Sequence, residues 1–341
     1  MNMPTIVAWE TTRRCGLACR HCRGAAGPGD RAAELTAAEG RRLIEALAGL
    51  PIRLLILTGG EPLMRPDIEE LASAGTAAGI RVVAATCGPL LTADAAGRLK
   101  RSGVSAVSIS LDAADAPEHD AFRGVAGAFE SALRGVRCAR EAGLAVQVNC
   151  TVTRLNVGQL PAILDLAERE GASTMDFFFL VPVGRGRELR DLQLDAERME
   201  TALRWIADMD RRRAIRVKTT CAPQMARIRA QTGLKSAPGT GGCMAGRGFL
   251  FVSHVGIVQP CGFLDVPCGD VRAFDFDVRA LLEASEDLRR LGALEGVKGK
   301  CGNCEFLRLC GGCRARAREM LGDAMEAEPF CLHGRQPHVC S

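Results

Sequence analysis

Three cysteines near the N-terminus constrain this chain more than any other feature. They stand in Thr12-Arg13-Arg14-Cys15-Gly16-Leu17-Ala18-Cys19-Arg20-His21-Cys22, a C-x3-C-x2-C spacing. Three thiolates can hold three irons of a [4Fe-4S] cluster and leave the fourth without a protein ligand. An iron left open is a place for substrate chemistry, as an open position marks a catalytic zinc. A structural zinc is the alternative, with His21 as the fourth ligand. But His21 directly precedes Cys22, and the two would struggle to reach one tetrahedral ion.

A second motif follows about one strand–helix unit later. Leu54-Leu55-Ile56-Leu57 is a short apolar run that reads as a buried parallel strand. Thr58-Gly59-Gly60-Glu61-Pro62 comes next. Two glycines let the backbone turn sharply and approach a ligand closely, and Glu61 offers a carboxylate to a cation. Alone this is an ordinary strand-end turn. With the cysteine triplet it resembles the GGEP motif of radical S-adenosylmethionine (radical SAM) enzymes. The resemblance implies a [4Fe-4S] cluster on Cys15, Cys19 and Cys22 whose open iron chelates the methionine part of SAM. Gly59, Gly60, Glu61 and Pro62 would hold the methionine ammonium. The reduced cluster would release a 5′-deoxyadenosyl radical.

Composition sets outer bounds. The chain has 341 residues, 47% hydrophobic and 25% charged, which suits one large or two moderate globular domains. A net charge of +4 is too mild to argue for nucleic acid. No apolar run approaches membrane-spanning length, and the first ten residues carry no secretory signal. The expectation is a cytoplasmic enzyme with neither membrane nor nucleic-acid partners. Sixteen cysteines in such a chain point to metal or redox centres rather than disulfides.

From residue 5 to about 181, short apolar runs alternate with amphipathic stretches. The expected strands are 6–10, 54–57, 81–85, 106–111, 145–152 and 175–181. Alternation of this kind predicts parallel strands with right-handed crossovers, here an α/β fold with an open (β/α)6 partial barrel. Ligands of such sheets bind at the C-terminal strand ends, where both motifs fall. Thr36, with Glu39 three residues on, is a capping box that starts a helix. Two more helices are expected around a short strand at 215–218. A Pro/Gly-rich linker at 236–242 separates a radical SAM core, 1–235, from a cysteine-rich, loop-rich domain, 236–341.

That second part holds Cys243, Cys261, Cys268, Cys301, Cys304, Cys310, Cys313, Cys331 and Cys340. Gly256 and Cys261 follow Cys243, and then comes Cys301-x2-Cys304-x5-Cys310-x2-Cys313. The pattern resembles the seven-cysteine SPASM extension of radical SAM enzymes, which carries auxiliary [4Fe-4S] clusters. The x2 between Cys310 and Cys313, where many members have x3, is a departure. Zinc ribbons use CxxC…CxxC too, so zinc remains the competing reading. The resemblance implies one or two auxiliary clusters. Cys301, Cys304, Cys310 and Cys331 would make one, and Cys243, Cys261 and Cys313 the other. The fourth ligand of the latter is left open between Cys268, Cys221 and none. Cys87, Cys138, Cys150 and Cys340 read as buried small hydrophobes or incidental thiols.

By the same resemblance, further SAM contacts would come from Ser110, at the end of the fourth strand, and Arg123, a bidentate carboxylate clamp. Asn149 would contact the ribose, and His21 would lie under the adenine. Several segments resemble the heme-pathway radical SAM proteins more closely. They are Ile6-Val7-Ala8-Trp9-Glu10-Thr11-Thr12-Arg13-Arg14-Cys15, His119-Asp120-Ala121-Phe122-Arg123-Gly124, Leu180-Val181-Pro182-Val183-Gly184-Arg185-Gly186, Cys310-Gly311-Gly312-Cys313-Arg314-Ala315-Arg316-Ala317 and Glu328-Pro329-Phe330-Cys331. The likeness covers nearly the whole chain and points to the heme b synthases of the siroheme-dependent route. These convert two propionates of iron-coproporphyrin III to vinyls by radical decarboxylation. A small carboxylated substrate is implied, with a reductase or a flavodoxin- or ferredoxin-type electron donor. Arg185 and Arg187 rank first for the substrate carboxylates, ahead of Lys218 and Arg247. Two departures stand out. After Thr220-Cys221-Ala222-Pro223 this chain has Gln224, Met225 and Ala226 where the family continues with histidine and tyrosines, and Cys87 replaces a common asparagine. They keep two other substrates open: a sugar-acid nucleoside of an antibiotic pathway and, third, a peptide.

Overall fold

The computed structural model describes residues 3–29, 33–234 and 242–334. The expected linker falls outside these residues but for Gly242, and Cys340 lies outside them altogether. Strands β1 (Ile6–Glu10), β2 (Leu54–Thr58), β3 (Arg81–Thr86), β4 (Ala106–Ser110), β5 (Ala145–Val152), β6 (Thr174–Phe179) and β7 (Arg216–Thr220) run parallel in chain order across one sheet. The first six are the expected units. The strand foreseen near 215–218 is β7, which extends the sheet beside β6. Helices α1 (Ala37–Ala48), α2 (Ile68–Ala77), α3 (Ala93–Arg101), α4 (Ala116–Arg123), α5 (Ala128–Glu141), α6 (Leu160–Arg169) and α7 (Ala196–Arg212) lie between successive strands, and α8 (Gln224–Gln231) follows β7. Thr36 opens α1 as expected: the Glu39 amide donates to its Oγ1 at 3.2 Å, and its own amide donates to Glu39 Oε2 at 2.8 Å.

Side chains alternate across the sheet. Trp9, Leu55, Leu57, Ile109, Val148 and Val217 are buried in the core shared with the helices. Of the intervening positions, Ile56, Ser108, Gln147 and Lys218 are only half-buried, while Ala8, Glu10 and Asp176 are buried. A parallel sheet covered on both faces would be apolar throughout. Here β4, β5 and β7 carry polar residues on the inner face, so that face lines the space of a partial barrel. The register sets Ser110, Asn149, Asp176 and Lys218 side by side across four strands of this face.

The cysteine-rich part joins the same sheet. Strand β8 (Phe249–Val252) pairs parallel to the free edge of β1, and β9 (Ile257–Gln259) and β10 (Gly269–Asp270) add antiparallel. None of these three strands was expected from the sequence: each is short and lies outside the strand–helix alternation. Among the described residues no helix is long and apolar enough to cross a membrane.

Candidate functional site

The cysteine loop leaves β1 and lies over the end of β2. Gly60 donates to Thr12 O at 2.7 Å, and Glu61 to Arg14 O at 2.8 Å. A Cβ on Gly59 would meet Thr12 O at 2.4 Å, and one on Gly60 would meet Arg14 O at 2.5 Å. The two glycines therefore make room for the cysteine loop itself. Arg185 braces the same loop from the segment after β6. Its Nε donates to Cys19 O at 2.9 Å and its Nη1 to Ala26 O at 2.7 Å.

Cys15 and Cys19 are buried in a small cluster with Leu17, Ala26 and Ala128, and Cys22 and Cys87 pack against it. The Cys87 thiol beside Cys15 brings the Cys15 thiol down to about 7, whereas burial pushes Cys19 up. Glu61 is 1% exposed. Its carboxylate accepts from the Leu63 amide at 3.0 Å, the Thr86 hydroxyl at 2.7 and 2.9 Å, and the Cys87 amide and thiol at 2.9 and 2.7 Å. A carboxylate has about four lone-pair sites, so an incoming ammonium must displace one of these donors, and the thiol is the weakest.

Behind the loop lies a buried charge group. Arg123 Nη2 pairs with Asp112 Oδ2 at 2.5 Å, and its Nη1 lies 3.6 Å from Cys19 Sγ. Asp112 Oδ1 accepts from the Thr151 amide at 2.7 Å. His21 stacks on Phe122 with centroids 4.3 Å apart, and burial lowers its pKa to about 3. Glu10, at the end of β1, is gripped by Arg23 at 2.7 Å, His254 at 3.1 Å and Arg13 at 3.2 Å. Burial opposes its charge, but the two arginines and the hydrogen bond with His254 outweigh it and hold the carboxyl at about 2. Sequence reasoning gave Asp112 and Glu10 no role. Glu10 lies inside a quoted motif and Asp112 two residues past Ser110, and a carboxylate at a strand end was the available signal.

The C-terminal cysteines form two groups. Cys301, Cys304, Cys310 and Cys331 line a small solvent-open cavity, with Arg227, Lys300 and His333 also on its walls. Cys221, Cys243 and Cys261 pack on the apolar cluster that contains Cys313. Cys268 joins neither group. It is buried in the main core, its thiol donating to Val266 O at 3.4 Å. Cys221, at the end of β7, is the thiol found beside Cys243, Cys261 and Cys313.

The match to known families decides the identity. Residues 9–167 match the model of the radical SAM superfamily. Over 97% of this chain and 97% of the relative, it is 43% identical to an AdoMet-dependent heme synthase of Methanosarcina barkeri. The chain belongs to the radical SAM superfamily. A second AdoMet-dependent heme synthase, from Nitratidesulfovibrio vulgaris, is also 43% identical, over 96% of this chain and 92% of its own. The fold is that of Streptococcus suis SuiB bound to its precursor peptide SuiA. The TM-score is 0.78 at 16% identity, covering 97% of this chain and 76% of that one.

A radical SAM protein binds a [4Fe-4S] cluster and SAM, and the residues present fit them. Cys15, Cys19 and Cys22 share one small cluster, and His21 Nδ1 and Arg123 Nε are buried without a partner among the described residues. Asn149 and Ser110 share the inner-face row, and Asn149 Oδ1 accepts from Gln147 at 2.7 Å. Arg123, expected to clamp a carboxylate of SAM, holds Asp112 instead. The substrate candidates fare unevenly. Arg185 is used on the cysteine loop. Arg187 reaches Glu319 at 3.4 Å. Arg247 donates to Arg308 O at 2.8 Å. Only Lys218 stands in the inner-face row, paired there with Asp176.

Proposed function

We propose that this radical SAM enzyme decarboxylates the propionates of iron-coproporphyrin III to vinyls. The observation that carries this is 43% identity over nearly full length to proteins named AdoMet-dependent heme synthase. SAM bound to a reduced cluster would supply a 5′-deoxyadenosyl radical that takes a hydrogen β to a carboxylate, after which CO2 leaves and one electron must be placed.

The chain's own residues divide the remaining work. Cys15, Cys19 and Cys22 hold the cluster. Glu61 would hold the methionine ammonium in place of the Cys87 thiol, and Ser110, Asn149 and His21 would lie around the rest of SAM, with Arg123 behind them on Asp112. Lys218 and Arg13 are the proposed partners of the substrate carboxylates: among the described residues Arg13 is engaged through its Nε alone, by Glu10, and its side chain is 49% exposed. Cys221, Cys243, Cys261 and Cys313, and Cys301, Cys304, Cys310 and Cys331, would hold two auxiliary [4Fe-4S] clusters, which would supply an acceptor for that electron. Residues 236–341 make a SPASM-type module, although its strands extend the barrel sheet.

The segment that departs from the family argues little for a changed substrate. Gln224, Met225 and Ala226 are buried in α8, Met225 against the main core and Gln224 against the cavity of Cys301. They do not line the inner face of the barrel. The test is an anaerobic assay with SAM and reductant, offering iron-coproporphyrin III and a uronic-acid nucleoside in parallel. We expect 5′-deoxyadenosine and CO2 from the porphyrin alone. No porphyrin turnover by cluster-replete enzyme, or turnover of the nucleoside instead, rejects the heme reading.

A further inference from the structure

Arg316 and Glu328 form an ion pair with both side chains fully buried, Nη1 to Oε2 at 3.1 Å. Glu328 Oε2 also accepts from the Cys313 amide at 3.0 Å, and the Glu328 amide donates to Cys301 Sγ at 3.3 Å. Arg316 reaches the other way. Its Nη2 donates to Cys221 O at 2.8 Å and lies 3.4 Å from the carbonyls of Phe179 and Leu180. The pair thus lies between the two cysteine groups: the guanidinium holds the Cys221 carbonyl, while the carboxylate takes the Cys313 amide on one oxygen and, on the other, the Phe330 amide next to Cys331 at 3.2 Å; only the Glu328 main-chain amide reaches Cys301 Sγ.

Stability alone is a weak reason to keep such a pair. Well-packed apolar residues in place of a buried ion pair are often neutral or better, because both charges must be desolvated. The low dielectric that makes the pair costly also leaves its field poorly screened. Arg316 Nε has no partner among the described residues, and neither has Nη2 of the neighbouring Arg314. A Cβ on Gly312 would meet that Nη2 at 2.4 Å and Cys301 Sγ at 3.3 Å. Unpartnered guanidinium donors thus lie in the same buried neighbourhood as the cysteines, and hydrogen bonds and nearby charge are what tune iron–sulfur potentials.

We propose that the Arg316–Glu328 pair sets the order of the two auxiliary potentials, raising that of the centre at Cys221, Cys243, Cys261 and Cys313 and lowering that of the centre at Cys301, Cys304, Cys310 and Cys331. A positive charge beside a centre stabilises the form carrying the extra electron, and a negative charge opposes it. The electron left by decarboxylation is then held first at the centre next to β7. The inference rests on the reading that both groups hold iron–sulfur clusters.

The test is a redox titration of the anaerobically loaded full chain, followed by electron paramagnetic resonance, with iron counted alongside. The double variant Arg316→Met/Glu328→Met removes both charges without stranding either, and it is expected to load both centres with a narrowed gap between them. Arg316→Lys keeps the charge and loses the fork, and it is expected to keep its iron and most of the gap. A parental gap in the double variant overturns the proposal. So does iron loss from either variant, or a Lys variant whose gap narrows as fully as that of the double variant, which makes the pair a structural strut. Iron for fewer than two C-terminal centres in the parent sinks the cluster reading beneath the proposal, and the proposal with it.

Discussion

His119 is the residue whose chemistry is easiest to check in isolation. It is 1% exposed, and its Nδ1 accepts the Asp112 amide at 3.1 Å, which requires a neutral ring. Burial lowers its pKa to about 4. The sign follows by linkage. Below about 6.5 the unfolded histidine binds a proton that the folded one refuses until about pH 4. The unfolded state therefore binds more protons in that window, and stability falls as pH drops through it. One such group contributes up to about 1.4 kcal/mol per pH unit. His21, lowered further, adds a similar slope. His119→Asn keeps an acceptor for the Asp112 amide and removes one titration. We expect urea unfolding of the variant, compared at pH 5 and pH 7, to depend less on pH than the parent. An unchanged slope would show that His119 carries no such penalty.

At the scale of elements, most of the barrel was legible and its outer strands were not. The apolar runs of β1 to β6 alternate with helices long enough to show a helical period, and turn residues bound them. Strand β8 is four residues long, and its partner β1 lies far away in sequence, so only tertiary pairing reveals it. The glycines at the end of β2 were read correctly as a close approach, but toward a ligand. The structure shows backbone against backbone. That difference makes a prediction about the β2–loop joint. Gly60→Ala puts a Cβ 2.5 Å from Arg14 O, where only main chain can give way. The loop that presents Cys15 must then shift. We expect a cost of about 2 kcal/mol or more, in line with forced overpacking, and loss of the N-terminal cluster's iron with the C-terminal iron retained. Gly16→Ala is the control, since its Cβ meets nothing within 4 Å. Equal iron in the two variants would mean that the joint tolerates the shift.

Across the whole molecule, the two halves meet through cysteines as well as through the sheet. Spacing left the fourth partner of Cys243, Cys261 and Cys313 undecided between Cys268, Cys221 and none, because sequence distance says nothing about where β7 ends in space. Cys268 is nearer in sequence to Cys261, yet it is buried in the main core. Cys221 is farther away, but it packs with Cys243 and Cys261 on the cluster of Cys313. Its backbone is also unusual, at φ +60°. A non-glycine residue there bears strain that persists only where the surroundings over-determine it, often at a functional position. Arg316 Nη2 fixes its carbonyl at 2.8 Å. A barrel residue would thus complete a centre otherwise built by the C-terminal segment, tying the two halves together. Cys221→Ala should lose one cluster's worth of iron and sulfide, about four of each, whereas Cys268→Ala should lose none. Both variants should still cleave SAM reductively, because Cys15, Cys19 and Cys22 are untouched. If Cys268→Ala sheds the iron and Cys221→Ala keeps it, the grouping is wrong. Zinc in place of iron in the C-terminal part would replace the auxiliary clusters with structural sites and leave the barrel to work with a single cluster.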